Sequence, residues 1–182
     1  GGIVAMGLDK DDAVMEANLT DANQDILIAT RQGKAIRFKE KQIREMGRQA
    51  KGVRGISLAK KDEVVGMEII SADITKTGAT ILTVTSAGFA KRTVLDEYRI
   101  QSRGGKGIIN VKVTAKNGEA VALNCVLPDD ELMTITQQGM MVRCPVKDIR
   151  QTGRNAQGVR LIALDKNDVV TSVAKIVAKE EE

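Results

Sequence analysis

A chain of 182 residues, 42% of them hydrophobic, is long enough to bury a core and too apolar to stay disordered. It has no histidine, two cysteines and 2% aromatics, which argues against a histidine base or ligand, a disulfide scaffold, and base stacking on aromatic platforms. The formal charge of +4 is modest, so its distribution matters more than its sum.

No apolar run approaches the length of a membrane span and no signal peptide is visible, so no membrane partner is expected. The chain opens Gly-Gly without an initiator Met and reads as a cleaved or excised piece of a cytoplasmic protein. Cys125 and Cys144 stand in apolar-rich stretches and read as buried free thiols.

In chain order, residues 1–19 carry "GGIVAMGL", a turn "DKDD" and "AVMEANL". Longer units follow at about 24–70, 77–126 and 129–176, and a short acidic tail lies at 179–182. Each long unit begins with an alternating run: "LIATRQGKAIR" from Leu27, "LTVTSAGFAKR" from Leu82, "MTITQQGMMVR" from Met133. The triples Thr30/Gly33/Arg37, Thr85/Gly88/Arg92 and Thr136/Gly139/Arg143 share one spacing, and fifteen residues beyond each Arg stands Gly52, Gly107 or Gly158. After that glycine come "VRGISL", "IINVKV" or "VRLIAL", a polar turn, and a last apolar run. Residues 1–19 match this second half alone, giving a single domain of about three and a half repeats with a period near 51–55 residues.

Alternation and Val/Ile/Thr content predict four short strands per repeat, with tight hairpins whose glycine takes positive φ. Between the Arg and the second glycine, one apolar position pins a polar stretch: Ile43, Tyr98 and Ile149. Tyr98, the sole tyrosine, therefore reads as a core residue and not a nucleophile. The expected fold is all-β, a propeller-like array of four-stranded antiparallel blades. Without tryptophan, the WD and kelch signatures do not apply.

The aligned windows Arg37–Arg54, Arg92–Ile109 and Arg143–Arg160 hold sixteen of the 28 Lys/Arg and five of the 24 Asp/Glu. They carry a net +11, and the rest of the chain −7. Arginine takes the first, eighth and twelfth positions each time: Arg37, Arg44, Arg48; Arg92, Arg99, Arg103; Arg143, Arg150, Arg154. Lys51, Arg54, Lys106 and Arg160 add to the same windows. Equivalent loops of a radial stack share one rim, so these cations predict a curved positive stripe suited to phosphate oxygens. Nine such contacts would give a log–log salt slope of roughly −8. "QSRGGKG", Gln101 to Gly107, aligns with "MGRQAKG" and "TGRNAQG"; Gly104 and Gly105 are expected to let backbone approach an anion flanked by Arg103 and Lys106. The acids of "DKDD" and "AKKDE" read as solvated turns.

"QSRGGKG", "GRNAQGVRLIAL" and "ATRQGKAIRF" resemble segments of the C-terminal domain of the DNA gyrase A subunit; its paralogue in topoisomerase IV is the second choice. Ser102 stands where the family's heptad carries a basic residue, so this copy resembles a later-blade version of the motif. The resemblance spans essentially the whole chain. It implies a partial β-pinwheel that wraps duplex DNA without sequence specificity, and no cofactor. It places the catalytic tyrosine on the N-terminal breakage-reunion domain of the same subunit; the ATPase site falls to the B subunit. It implies that wrapping directs ATP-dependent strand passage toward negative supercoiling. The acidic tail reads as a frayed end, and the family's acidic tails leave a minor regulatory role open to it. The piece alone is expected to be monomeric. Scarce aromatics favour duplex over single-stranded DNA. A blade scaffold for an acidic protein partner is the main alternative; a propeller enzyme is disfavoured by the missing histidine and by the lack of a carboxylate pair within the repeat pattern.

Overall fold

A computed structural model describes residues 1–177; the acidic tail lies outside the described residues. The fold is all-β. Its strands are β1 (Asp25–Thr30), β2 (Lys34–Lys39), β3 (Val64–Ile70), β4 (Thr80–Thr85), β5 (Phe89–Val94), β6 (Ile108–Ile109), β7 (Ala120–Val126), β8 (Glu131–Thr136), β9 (Met141–Pro145), β10 (Val159–Arg160) and β11 (Val170–Ile176). They build antiparallel sheets ordered β3-β1-β2-β6, β10-β5-β4-β7 and β11-β8-β9.

The repeated Thr and Gly have a local cause. Gly33, Gly88 and Gly139 take φ of +81°, +76° and +88° in the hairpin turns, and each donates its N–H to the Thr carbonyl three residues back. The Thr hydroxyl then accepts the N–H at the start of the returning strand: Lys34 to Thr30 at 3.2 Å, Phe89 to Thr85 at 3.3 Å, Met140 to Thr136 at 3.1 Å. Asp62 and Asp168 close two of these turns, with Oδ1 accepting from Gln32 at 2.9 Å and Gln138 at 3.0 Å. Both aspartates are buried, at 8% and 6% exposure, so they hold turns together; for Asp62 this replaces the solvated-turn reading of "AKKDE".

The sheets differ from four strands per repeat in one respect. The edge strand of each four-stranded sheet comes from the following repeat: β6 pairs with β2 (Lys34↔Ile109, Ala35↔Ile108), and β10 with β5 (Val159↔Ala90, Arg160↔Phe89). Consecutive blades are therefore stitched by exchanged backbone. The third sheet has three strands, and residues 1–24 contain no strand. Residues 13–19 match β3 in sequence, but no described strand stands where β1 stands for β3, and a strand needs a partner ladder.

The core lies between blades. Leu27, Ile70, Ile81, Leu95, Tyr98 and Leu123 join the first blade to the second. Leu82, Val84, Leu132, Val146, Ile149 and Ile162 join the second to the third. All of β4 is buried, on both faces, because a blade lies against each. Tyr98 is 1% exposed and its hydroxyl donates to Asn110 at 2.6 Å; burial raises its pKa. Ile149 is buried too, and Ile43 half-buried. Cys125 is buried but Cys144 only half-buried, and both are free.

Candidate nucleic-acid interface

The arginines separate into series by position in the repeat. The first series reaches forward to the next blade. Arg37 pairs with buried Asp25 (Nε to Oδ2 2.8 Å, Nη2 to Oδ2 2.7 Å) and donates from Nη1 to the carbonyls of Leu95 and Tyr98, each at 3.4 Å. Arg92 donates to the carbonyls of Ile149 at 2.7 Å and Lys147 at 3.4 Å. In the third blade, Arg143 is exposed and pairs with Glu131 of its own sheet. Arg37 and Arg92 therefore belong to blade joints, which corrects their placement on a shared rim. An arginine fork serves a cluster of carbonyls as well as a phosphate.

The twelfth series reaches backward. Arg103 donates from Nη1 to the Arg54 carbonyl at 2.6 Å and from Nε to the Gln42 carbonyl at 3.1 Å. Arg154 donates from Nη1 to the Ile109 carbonyl at 2.8 Å, and Glu97 lies 3.8 Å from its Nε. The backbone N–H of each is held as well: Gln42 Oε1 accepts from Arg103 at 2.7 Å, and Glu97 Oε2 accepts from Arg154 at 2.9 Å. Both side chains are half-buried staples, whereas Arg48 in the first repeat is exposed.

The eighth series is different. Arg44, Arg99 and Arg150 are all exposed, and none has a hydrogen-bond or ion-pair partner for its guanidinium among the described residues. The backbone beside two of them is pinned to the middle of the preceding blade. Ile100 bridges to Arg37 and Gln151 to Arg92, with Gln101 N–H on the Arg37 carbonyl at 2.7 Å and Thr152 N–H on the Arg92 carbonyl at 2.8 Å. The backbone of these two loops is tethered while their guanidiniums project free, and the bridges put Arg99 and Arg150 in the same place relative to their neighbouring blades.

Lys106 and Arg54 are likewise exposed and unpaired among the described residues. Lys51 is exposed and meets Asp9. Arg160 lies 5.8 Å from the centre of the Phe89 ring, as does Lys116. Gly104 gives its N–H to the Gly55 carbonyl at 2.8 Å, and the Gly105 carbonyl accepts from Ser57 at 2.9 Å, so their heptad docks against the first repeat. Gly107 and Gly158 serve a joint: a Cβ on either would sit 2.5 Å from the Ala35 carbonyl oxygen or 2.6 Å from that of Ala90.

One residue was missed from sequence. Lys91 is 1% exposed and donates to Thr93 Oγ1 at 3.1 Å and to the carbonyls of Gly153 at 3.0 Å and Arg154 at 2.9 Å. Burial pushes its pKa down to about 8, against Glu97, which raises it. The signal was available: the repeats place Ile36 and Val142 at the same position.

Tandem antiparallel sheets that exchange edge strands and carry their basic loops at matching positions define a β-pinwheel, a propeller-like array. A family model described as "DNA gyrase C-terminal domain, beta-propeller" matches residues 24–71, 79–126 and 130–176. The DNA gyrase A subunit of Staphylococcus epidermidis is 42% identical over 175 residues, covering 96% of this chain and 19% of that protein; that of Staphylococcus aureus gives the same figures. A solved DNA gyrase A C-terminal domain superposes with a TM-score of 0.87 at 24% identity, over 97% of this chain and 58% of that one. A DNA topoisomerase IV C-terminal domain superposes at 0.86 with 25% identity, over 94% and 52%. The chain belongs to the DNA gyrase C-terminal domain family. It spans 19% of the length of those gyrase proteins. No described helix is long and apolar enough to cross a membrane.

Proposed function

We propose that this chain binds and bends duplex DNA through its phosphate backbone, as part of the wrapping domain of a gyrase A subunit. The observation that carries this reading is the eighth-position series: Arg44, Arg99 and Arg150 are exposed and unpaired among the described residues, and the backbone beside Arg99 and Arg150 is pinned to the preceding blade. Arg48, Arg54 and Lys106 are exposed as well and add to the cations available to a phosphate backbone. Bending a duplex of 20–30 bp costs roughly 1–6 kcal/mol, and counterion release along a curved cationic row offsets that cost. The breakage-reunion domain of the same subunit, together with the ATPase B subunit, completes an ATP-dependent type II topoisomerase in the bacterial cytoplasm. Wrapping there directs strand passage toward negative supercoils.

The test is affinity for a 40-bp-scale duplex against salt concentration. Six unpaired cations predict a log–log slope of roughly −5, in place of the −8 expected if all nine repeated arginines gripped phosphate. Replacing Arg44, Arg99 and Arg150 together with Ala flattens the slope by about 3 while leaving the fold intact. Unchanged affinity and slope in that variant would reject the reading. The near-equal superposition on topoisomerase IV supports a second reading as that enzyme's wrapping domain. The plasmid linking-number change on binding separates the two.

A further inference from the structure

We propose that Lys91 is a positioning residue that holds the third-repeat loop, residues 150–158, and with it the free Arg150, in its DNA-binding shape, an inference that rests on the DNA-binding reading above. Lys91 projects from β5 of the second blade into the base of that loop. Its ammonium has three donors, and the structure gives it three acceptors: Thr93 Oγ1 and the carbonyls of Gly153 and Arg154. Thr93 Oγ1 in turn donates to the Thr152 carbonyl at 3.0 Å. Three consecutive carbonyls of the loop, 152, 153 and 154, are thus gathered by two side chains of the neighbouring blade. Two residues before the first of them stands Arg150, one of the free guanidiniums.

The first joint is built without this device. Ile36 and Phe38 occupy the positions of Lys91 and Thr93, and they are buried in an apolar cluster. A lysine sealed at 1% exposure is unfavourable unless every donor is used, so the full set of bonds marks a specific fit and not a stray charge. The charged groups facing the ammonium are Glu97, from the one-turn helix Leu95–Glu97, and Arg154 on the loop itself. Glu97 also fixes the Arg154 N–H, so acid and lysine grip the loop from two sides.

Burial lowers the pKa of the Lys91 ammonium to about 8, and a loop that swings away returns it to water and to the ordinary value of 10.5. The closed loop therefore holds fewer protons than the open one, so closure is favoured as pH rises from about 8 toward 10.5.

The experiment uses the whole chain and a fixed duplex at one ionic strength, with affinity measured from pH 7 to 9.5. Wild type tightens as pH rises above about 8. Lys91→Met keeps the apolar stem and removes the donors. It binds about tenfold more weakly at pH 7, the scale of one charge-assisted hydrogen bond, and its pH profile is flat. Lys91→Arg restores part of the affinity but not the pH dependence, since arginine does not titrate there. Amide hydrogen exchange over residues 152–158 rises in Lys91→Met while exchange in β4 stays protected. Should Lys91→Met fail to fold, the wild-type profile still decides: a flat profile overturns the inference. Equal affinity and equal pH dependence in wild type and Lys91→Met overturn it too, and leave DNA binding standing. Absence of salt-dependent binding by the wild type overturns both.

Discussion

Arg92 and Arg143 occupy the same repeat position yet do different work, because among the described residues only Arg92 has a following blade whose carbonyls it can reach. Arg92→Ala leaves the Ile149 and Lys147 carbonyls without their donor and should lower unfolding free energy by about 1–3 kcal/mol. Arg143→Ala should leave the urea midpoint essentially unchanged, since an exposed pair in solvent contributes little. Lys91 makes a separate prediction for stability. It releases its proton at about 8 in the fold and at 10.5 as an ordinary lysine. Between those values the unfolded chain holds more protons, so this residue's contribution to stability rises with pH. Cys125 acts oppositely: burial raises its thiol from 9.0 to about 11, so its contribution is lost as pH climbs from the ordinary value to the raised one. The stability difference between wild type and Lys91→Met, followed by thermal melts from pH 7 to 9, isolates the lysine; a constant difference contradicts the assigned shift.

At the scale of elements, the hairpin and the exchanged strand govern the fold. The hairpin was legible in advance, since Thr, Gly and alternating apolar residues specify it locally. Strand exchange was not, because a two-residue strand such as β6 has no periodicity and its partner lies more than 70 residues away. The second glycine is what permits that pairing. Gly107→Ala places a Cβ 2.5 Å from the Ala35 carbonyl at a φ of +69° and should cost more than about 2 kcal/mol. Gly139→Ala, at +88° with nothing within 4 Å, should cost only the backbone strain of about 1–2 kcal/mol. Comparison of the two denaturation midpoints checks whether close approach adds to conformation.

Across the whole molecule, the blade joints and the DNA surface draw on the same pool of arginines. Joint arginines set how blades stack; free ones are those proposed to meet the polyanion. Arg37→Met should therefore reduce the bend or linking-number change imposed on DNA while leaving the salt slope nearly the same. Measuring both on one preparation tests that separation, and a parallel loss of slope would place Arg37 on the DNA surface after all. The period, the all-β class, the hairpins and the confinement of positive charge to one window of each repeat were determined by sequence alone, because each depends on residue type at short, regular spacing. Which arginines are free was decided only by tertiary structure. A guanidinium donates equally well to a phosphate and to a carbonyl, and the presence of a neighbouring blade, not the residue, chooses between them.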